Sequence, residues 1–140
     1  MVDAADAVVD EVVSIAQSLG LPVETDKPYD FDEDELPLVI VHTQDEELID
    51  EEGMPREAWD VTWRIAPVVE VWVRADDPLT IRSTLSGHWS TLRSAIRESN
   101  ILALVRGGSR PGLVKKKEEI DGRPGIAGFS VEIECEIERD

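Results

Sequence analysis

The stretch from Trp59 to Ala75, WDVTWRIAPVVEVWVRA, constrains the fold more than any other part of the chain. Trp59, Val61, Trp63, Ile65, Val69, Val71 and Val73 share one parity, while Asp60, Thr62, Arg64, Glu70 and Arg74 take the other. Successive side chains on a strand point to opposite faces, so this is a long strand with one apolar face. Such a strand needs paired neighbours and a second layer to cover its apolar side. Pro67 has no N–H to give to a ladder, so it marks a bulge, a bend or an edge. Trp72 falls on the polar side, where it either covers a neighbouring chain segment or forms a contact point between subunits.

The last twelve residues, FSVEIECEIERD, repeat the alternation with acids. Glu132, Glu134, Glu136 and Glu138 share one side, opposite Phe129, Val131, Ile133, Cys135 and Ile137. Same-side neighbours on a strand lie about 7 Å apart, so each adjacent glutamate pair repels by roughly 0.6 kcal/mol in water before salt screening. Burial of one large apolar side chain returns about 1.5 to 3 kcal/mol, so the pattern is tolerable. It requires that the acidic side stay wet, or that cations such as Arg64 and Arg74 lie across from it. Either this is a solvated sheet face, or it is a face turned toward a water-filled channel.

Two helices are predicted. Residues 2–19 carry Val8, Val12, Ile15 and Leu19 at spacings of four, three and four, widened by Val9 and Ala16. Asp3 and Asp6 suit the helix start, and Gly20 followed by Pro22 stops it. Residues 78–99 follow Asp77 as cap and Pro78 at the first position. Ile81, Leu85, Trp89, Leu92 and Ile96 fall within an arc of roughly 80°, which makes a sheet-facing stripe. Arg82, Arg93 and Arg97 line one flank; Ser83, Gly87, Ser90, Thr91 and Ser94 form a small-residue side, open either to close approach or to solvent.

Between these elements, residues 36–43 (LPLVIVHT) read as a strand with Pro37 at its start. Residues 24–35 and 44–58 read as acidic loops, the second projecting from one end of the sheet. Residues 101–105 are strand or helix end, and RGGSRPG is a loop. Residues 113–120 and 126–138 flank the turn DGRPG as a hairpin, with the register of the first arm left open because its charges occupy both parities. The expected architecture is one α+β domain over residues 1–140: an antiparallel or mixed sheet with two main helices on one face.

Charge narrows the function classes. The formal net charge of -17 opposes nonspecific binding to DNA or to an anionic membrane. The charge is also divided: residues 24–60 hold fifteen acids and two bases, and residues 78–117 hold eight bases and one acid. These regions are either two solvated faces or complementary surfaces of neighbouring copies. The N-terminus shows no basic region followed by an apolar stretch, and no apolar run is long enough to cross a bilayer, so neither secretion nor membrane insertion is expected. The single cysteine, Cys135, excludes an internal disulfide and belongs with the packed side of the last strand.

No catalytic, cofactor or metal motif emerges. The two histidines, His42 and His88, stand in a predicted strand and beside a predicted apolar stripe. No nucleophile elbow, phosphate loop or dinucleotide fingerprint is present. RGGSRPG lacks the strand-to-helix context of a phosphate cradle, and DFDEDE lacks the glycine and distal glutamate of a calcium loop.

The layout resembles the tail terminator proteins of long-tailed bacteriophages, the tail completion or minor tail protein U-like family. An N-terminal helix precedes LPLVIVHT; WRIAPVVEVWVRADDP runs directly into LTIRSTLSGHWSTLRSAIRES; a loop and hairpin then close with GIAGFSVEIECEIERD. The similarity covers nearly the whole chain and is one of order and pattern, without an invariant motif. It implies an antiparallel sheet backed by helices and a ring, usually hexameric, at the head-proximal end of the tail tube. It further implies a non-enzymatic virion protein that is assembled in the host cytoplasm, stops tube polymerisation and offers a docking surface to head or neck proteins. DNA would pass through the lumen without specific binding.

On this resemblance Arg82, Arg93, Arg97, Lys115, Lys116 and Lys117 are expected at the subunit interface. Asp45, Glu46, Glu47, Asp50, Glu51, Glu52 and Met54, in the loop from Gln44 to Glu57, would contact tube or neck. Glu132, Glu134, Glu136 and Glu138 would face the lumen. The strength of the acidic loops departs from the family pattern, and it affects which loop meets which partner. The rival reading is a monomeric acidic adaptor or an inhibitor that mimics DNA.

Overall fold

A computed structural model describes residues 4–26, 31–43, 47–48, 61–99, 113–120 and 125–139. Helix α1 spans Ala4–Gln17 and α2 spans Pro78–Glu98. The strands are β1 (Val23–Thr25), β2 (Leu38–His42), β3 (Glu47–Leu48), β4 (Val61–Ile65), β5 (Val68–Arg74), β6 (Leu113–Ile120) and β7 (Ile126–Arg139). The expected α+β class holds, with a mixed sheet: β1 runs parallel to β2, and every other described pair is antiparallel.

β7 organises the sheet. Its first half has β5 on one edge and β6 on the other. Its second half pairs with β4. The register runs from Ile65 opposite Cys135 to Val68 opposite Glu132, an advance of three residues on each strand. β4 and β5 therefore form one line, and Pro67 introduces no bulge. It accepts a bond from the Ile133 amide through its carbonyl, at 2.9 Å, but cannot return one. Outside this line, β2 pairs with β5 and β3 with β4. From His42 opposite Val68 to Glu47 opposite Arg64, one line advances five residues and the other four.

Alternation then builds the core. Val39, Val41, Ile65, Val69, Val71, Val73, Phe129, Val131, Ile133 and Cys135 share the face that takes both helices. α1 contributes Val8, Val12, Ile15 and Ala16 to this core. α2 contributes buried Leu92, with Ile81, Leu85, Trp89 and Ile96 packed around it, the stripe that its periodicity predicts. Each helix has a local reason to begin or end. The Asp77 carboxylate accepts from the Leu79 amide at 3.1 Å and from the Thr80 hydroxyl at 3.2 Å. After α1, Gly20 adopts a left-handed φ of 71° as the chain turns toward β1.

The opposite face departs from the expected wet surface. Leu38, Ile40, Trp72 and Ile126 form a second apolar cluster there, covered by Phe31 and flanked by Leu36. The Phe31 and Trp72 rings meet at 5.0 Å, tilted by 46°. Thus the segment read as a charged loop contains β1, a buried aromatic anchor and a short 3-10 turn at Glu33–Glu35. Trp72 is buried within its own chain, which resolves its two readings in favour of covering a neighbour. That neighbour includes Gly128: a Cβ there would collide with the Val71 carbonyl oxygen and lie 2.8 Å from the Trp72 ring.

Candidate assembly surfaces

The glutamate row lies on the helix-free face, beyond the Trp72 cluster. Glu132 and Glu134 are half-buried, so neither is sealed in a dry interior. Glu132 stands opposite Val68 on one edge and Lys115 on the other. Glu134 stands opposite Leu113. Glu136 and Glu138 continue the strand, opposite Arg64 and Thr62; their side chains lie outside the described residues. Of the two cations expected across from the row, Arg64 takes such a register position. Arg74 does not: it pairs with Ile126, at the other end of β7. The long strand pair carries the two arginines to opposite ends of the sheet, which corrects that expectation.

The basic group does not form one patch. Arg82, Arg93 and Arg97 are exposed along α2. Consecutive residues of β6 meet opposite faces of the sheet, so Lys115–Lys117 cannot act as a block. Lys115 is the register partner of Glu132, and Lys117 of Ser130. Lys116 pairs with Val131, a helix-face residue, and reaches the helix layer. Its Nζ lies 5.7 Å from the Trp89 ring centroid and 5.5 Å from that of Phe129. The Arg93 guanidinium lies 5.8 Å from the same Trp89 ring, and Trp89 packs edge-on against Phe129 at 6.0 Å. Two cations thus converge on one half-buried indole, a cation–π arrangement the sequence did not signal because its members come from α2, β6 and β7.

The expected tube- or neck-contact loop is only partly visible. Glu47 belongs to β3, opposite Arg64, so this point of the loop is sheet edge rather than projection. Asp45, Glu46, Asp50, Glu51, Glu52 and Met54 lie outside the described residues. The other acidic segment is better defined. Asp26 adopts φ 51° and its carboxylate accepts from the Thr43 amide at 2.8 Å and from the Thr43 hydroxyl at 3.0 Å, tying the end of β1 to the end of β2. The Glu35 carboxylate accepts from the Asp32 amide at 2.8 Å. Asp32 and Asp34 are exposed on this crossover.

His42 Nε2 lies 3.2 Å from Glu70 Oε2 without the alignment of a hydrogen bond, and Glu70 Oε1 accepts from Trp72 Nε1 at 3.0 Å. This chain of contacts joins β2 to β5 on the helix-free face. His88 is half-buried on α2, and desolvation lowers its pKa from the ordinary 6.5. Cys135 is fully buried; desolvation and the neighbouring Glu134 charge push its thiol up to about 11, so it stays a neutral packing group. Among the described residues, no three His, Cys, Asp or Glu side chains converge as metal ligands, and no helix is long and apolar enough to cross a membrane.

Among the described residues, a basic, aromatic surface lies at the α2–β6 edge, and an acidic one on α1, β1 and the crossover. No protein-family model matches the chain, and no curated protein matches it in sequence.

Proposed function

We propose that this protein is a structural virion component that closes the head-proximal end of a phage tail tube as a ring of identical copies. In this role it stops addition of tube protein and presents a docking surface to the neck. The observation that carries the reading is the placement of opposite charge on opposite edges of one α+β sheet. In the order β1, β2, β5, β7, β6, the acidic edge comes first and the lysine-bearing strand last. Residues 4–26, which form α1 and β1, contain five acids and no base. A copy with unlike complementary edges supports a head-to-tail contact, and such contacts close into rings when the rotation allows.

Two further features support it. The resemblance of the sequence layout to the tail terminator family, described above, points the same way. Glu132 and Glu134 stand half-buried on the helix-free face, and an acidic lumen would let DNA pass without adhering, because phosphates are repelled there. The reading assigns no catalytic residue and no cofactor.

Electron microscopy of tails assembled with and without this protein tests the proposal. Tubes of defined length with a blunt ring at one end are expected in its presence, and tubes of uncontrolled length in its absence. Tubes of identical length in both preparations would overturn it.

A further inference from the structure

We infer that the cation-flanked Trp89 on the α2–β6 edge is the socket for the α1–β1 edge of a second copy of this chain. The inference rests on the ring reading and specifies which surfaces meet. Arg93 and Lys116 both lie within 6 Å of the Trp89 ring centroid, and no described carboxylate pairs with either. Two like charges held against one indole repel each other, so an incoming carboxylate is favoured there.

Glu118 shares the face of β6 with Lys116, two residues along, and the acids of α1, β1 and the crossover lie toward the other edge. Four strand-to-strand steps separate β1 from β6, about 19 Å at roughly 4.8 Å per step. Screening at physiological salt acts over about 8 Å, so charges on β1 and β6 are screened from each other, although α1 and α2 touch within one copy. Exposed acids on the β1 side include Asp6 and Asp10 on α1, Glu24 on β1, and Asp32 and Asp34 on the crossover. α1 and α2 occupy the same layer, so setting one copy edge to edge with the next brings the acidic helix beside the basic one.

The contact is made by side chains. Among the described residues β6 is paired on one side, with β7; lysines along an edge strand oppose strand addition, and β6 carries three in succession. The lysine run therefore blocks backbone pairing while Lys116 supplies charge to the layer above. Trp89 provides the apolar, shape-defining part of the socket, as aromatic residues do at interface centres.

The test uses the full chain with two complementary sets of reversals and reads native mass across ionic strength. The basic-edge variant is Arg93→Glu with Lys116→Glu; the acidic-edge variant is Asp6→Lys, Asp10→Lys and Asp34→Lys. All five positions are exposed, and far-UV circular dichroism checks that each variant folds. Each variant alone should self-associate on the order of tenfold or more weakly than the parent. An equimolar mixture should regain assembly with the two variants alternating, because the intact edges match each other and the two reversed edges do so as well. A chain carrying all five reversals should regain the parent's assembly.

Unchanged assembly in both variants would overturn this inference and leave the ring proposal to the tube-length experiment. So would a mixture that does not reassemble, or a parent that stays monomeric at every salt concentration. Capture of a short DNA duplex by the parent, lost in the basic-edge variant with no change in mass, would also overturn it by assigning the socket to phosphate.

Discussion

The two faces of the sheet are made from the same strands by different means. On the helix face, valines and isoleucines from β2, β4, β5 and β7 form one continuous core under two amphipathic helices. On the other face, a small cluster around Trp72 is covered by a single aromatic, Phe31, and carboxylates take over toward the other end. The first face is stabilised by area, the second by a few specific contacts: an aromatic pair, a glycine that makes room, and a hydrogen bond to Glu70. Adjacent residues of β7 illustrate the contrast. Phe129 fills the helix-side core, and its neighbour Gly128 is defined by what it leaves empty.

Substitutions can break that contrast. The largest effect is expected for Phe129→Ala, which removes a fully buried ring and its edge contact with Trp89. Urea denaturation should show a loss of about 3 to 5 kcal/mol. A loss below that of the variants that follow would mean the helix face is not the dominant core.

Gly128→Ala comes next. Its methyl group would clash with the Val71 carbonyl and the Trp72 ring, neither of which can move without displacing β5 or the second cluster. The expected cost is about 1 to 3 kcal/mol, with Trp72 fluorescence shifted toward the exposed range. A neutral result would show that the second cluster is loose enough to rearrange.

Trp72→Phe sharpens the same point. It retains most of the ring contact with Phe31 but removes the donor to Glu70. A loss of about 1 kcal/mol is expected, and a double substitution with Glu70→Gln should be less than additive if the bond contributes as described.

The smallest effect concerns pH. His88 stays neutral in the folded chain to a lower pH than in the unfolded chain, because burial disfavours its charged form. Below pH 6.5 the unfolded state takes up the proton first, so this residue's contribution to stability falls as pH drops through that window. His88→Gln should flatten that part of the stability–pH curve without changing it near pH 8.

Much of this architecture was written in periodicity. The alternation of β4, β5 and β7 and the stripe of α2 led directly to the helix face, because burial there is continuous and repeats with the backbone period. The second cluster was illegible for the opposite reason. Phe31 stands alone among acids, and only the parallel return from β1 to β2 brings it over Trp72. β3 is too short to show a period. The candidate surfaces were legible as charge but not as places. β6 bears charges on both parities, so only its pairing with β7 reveals that Lys115 belongs opposite Glu132 while Lys116 joins Arg93 at Trp89.

The unbroken register through Pro67 limits how this sheet can change its length. One phase runs along all of β7, linking the position of Val131 to that of Ile137 and keeping every glutamate between them on the same side. Insert a single residue between Ile65 and Val68, and one half of the sheet must turn inside out relative to the other, or the ladder must kink to absorb it. Insertions or deletions within the paired line are therefore expected to come in twos, whereas the connections beyond its ends are free to vary one residue at a time.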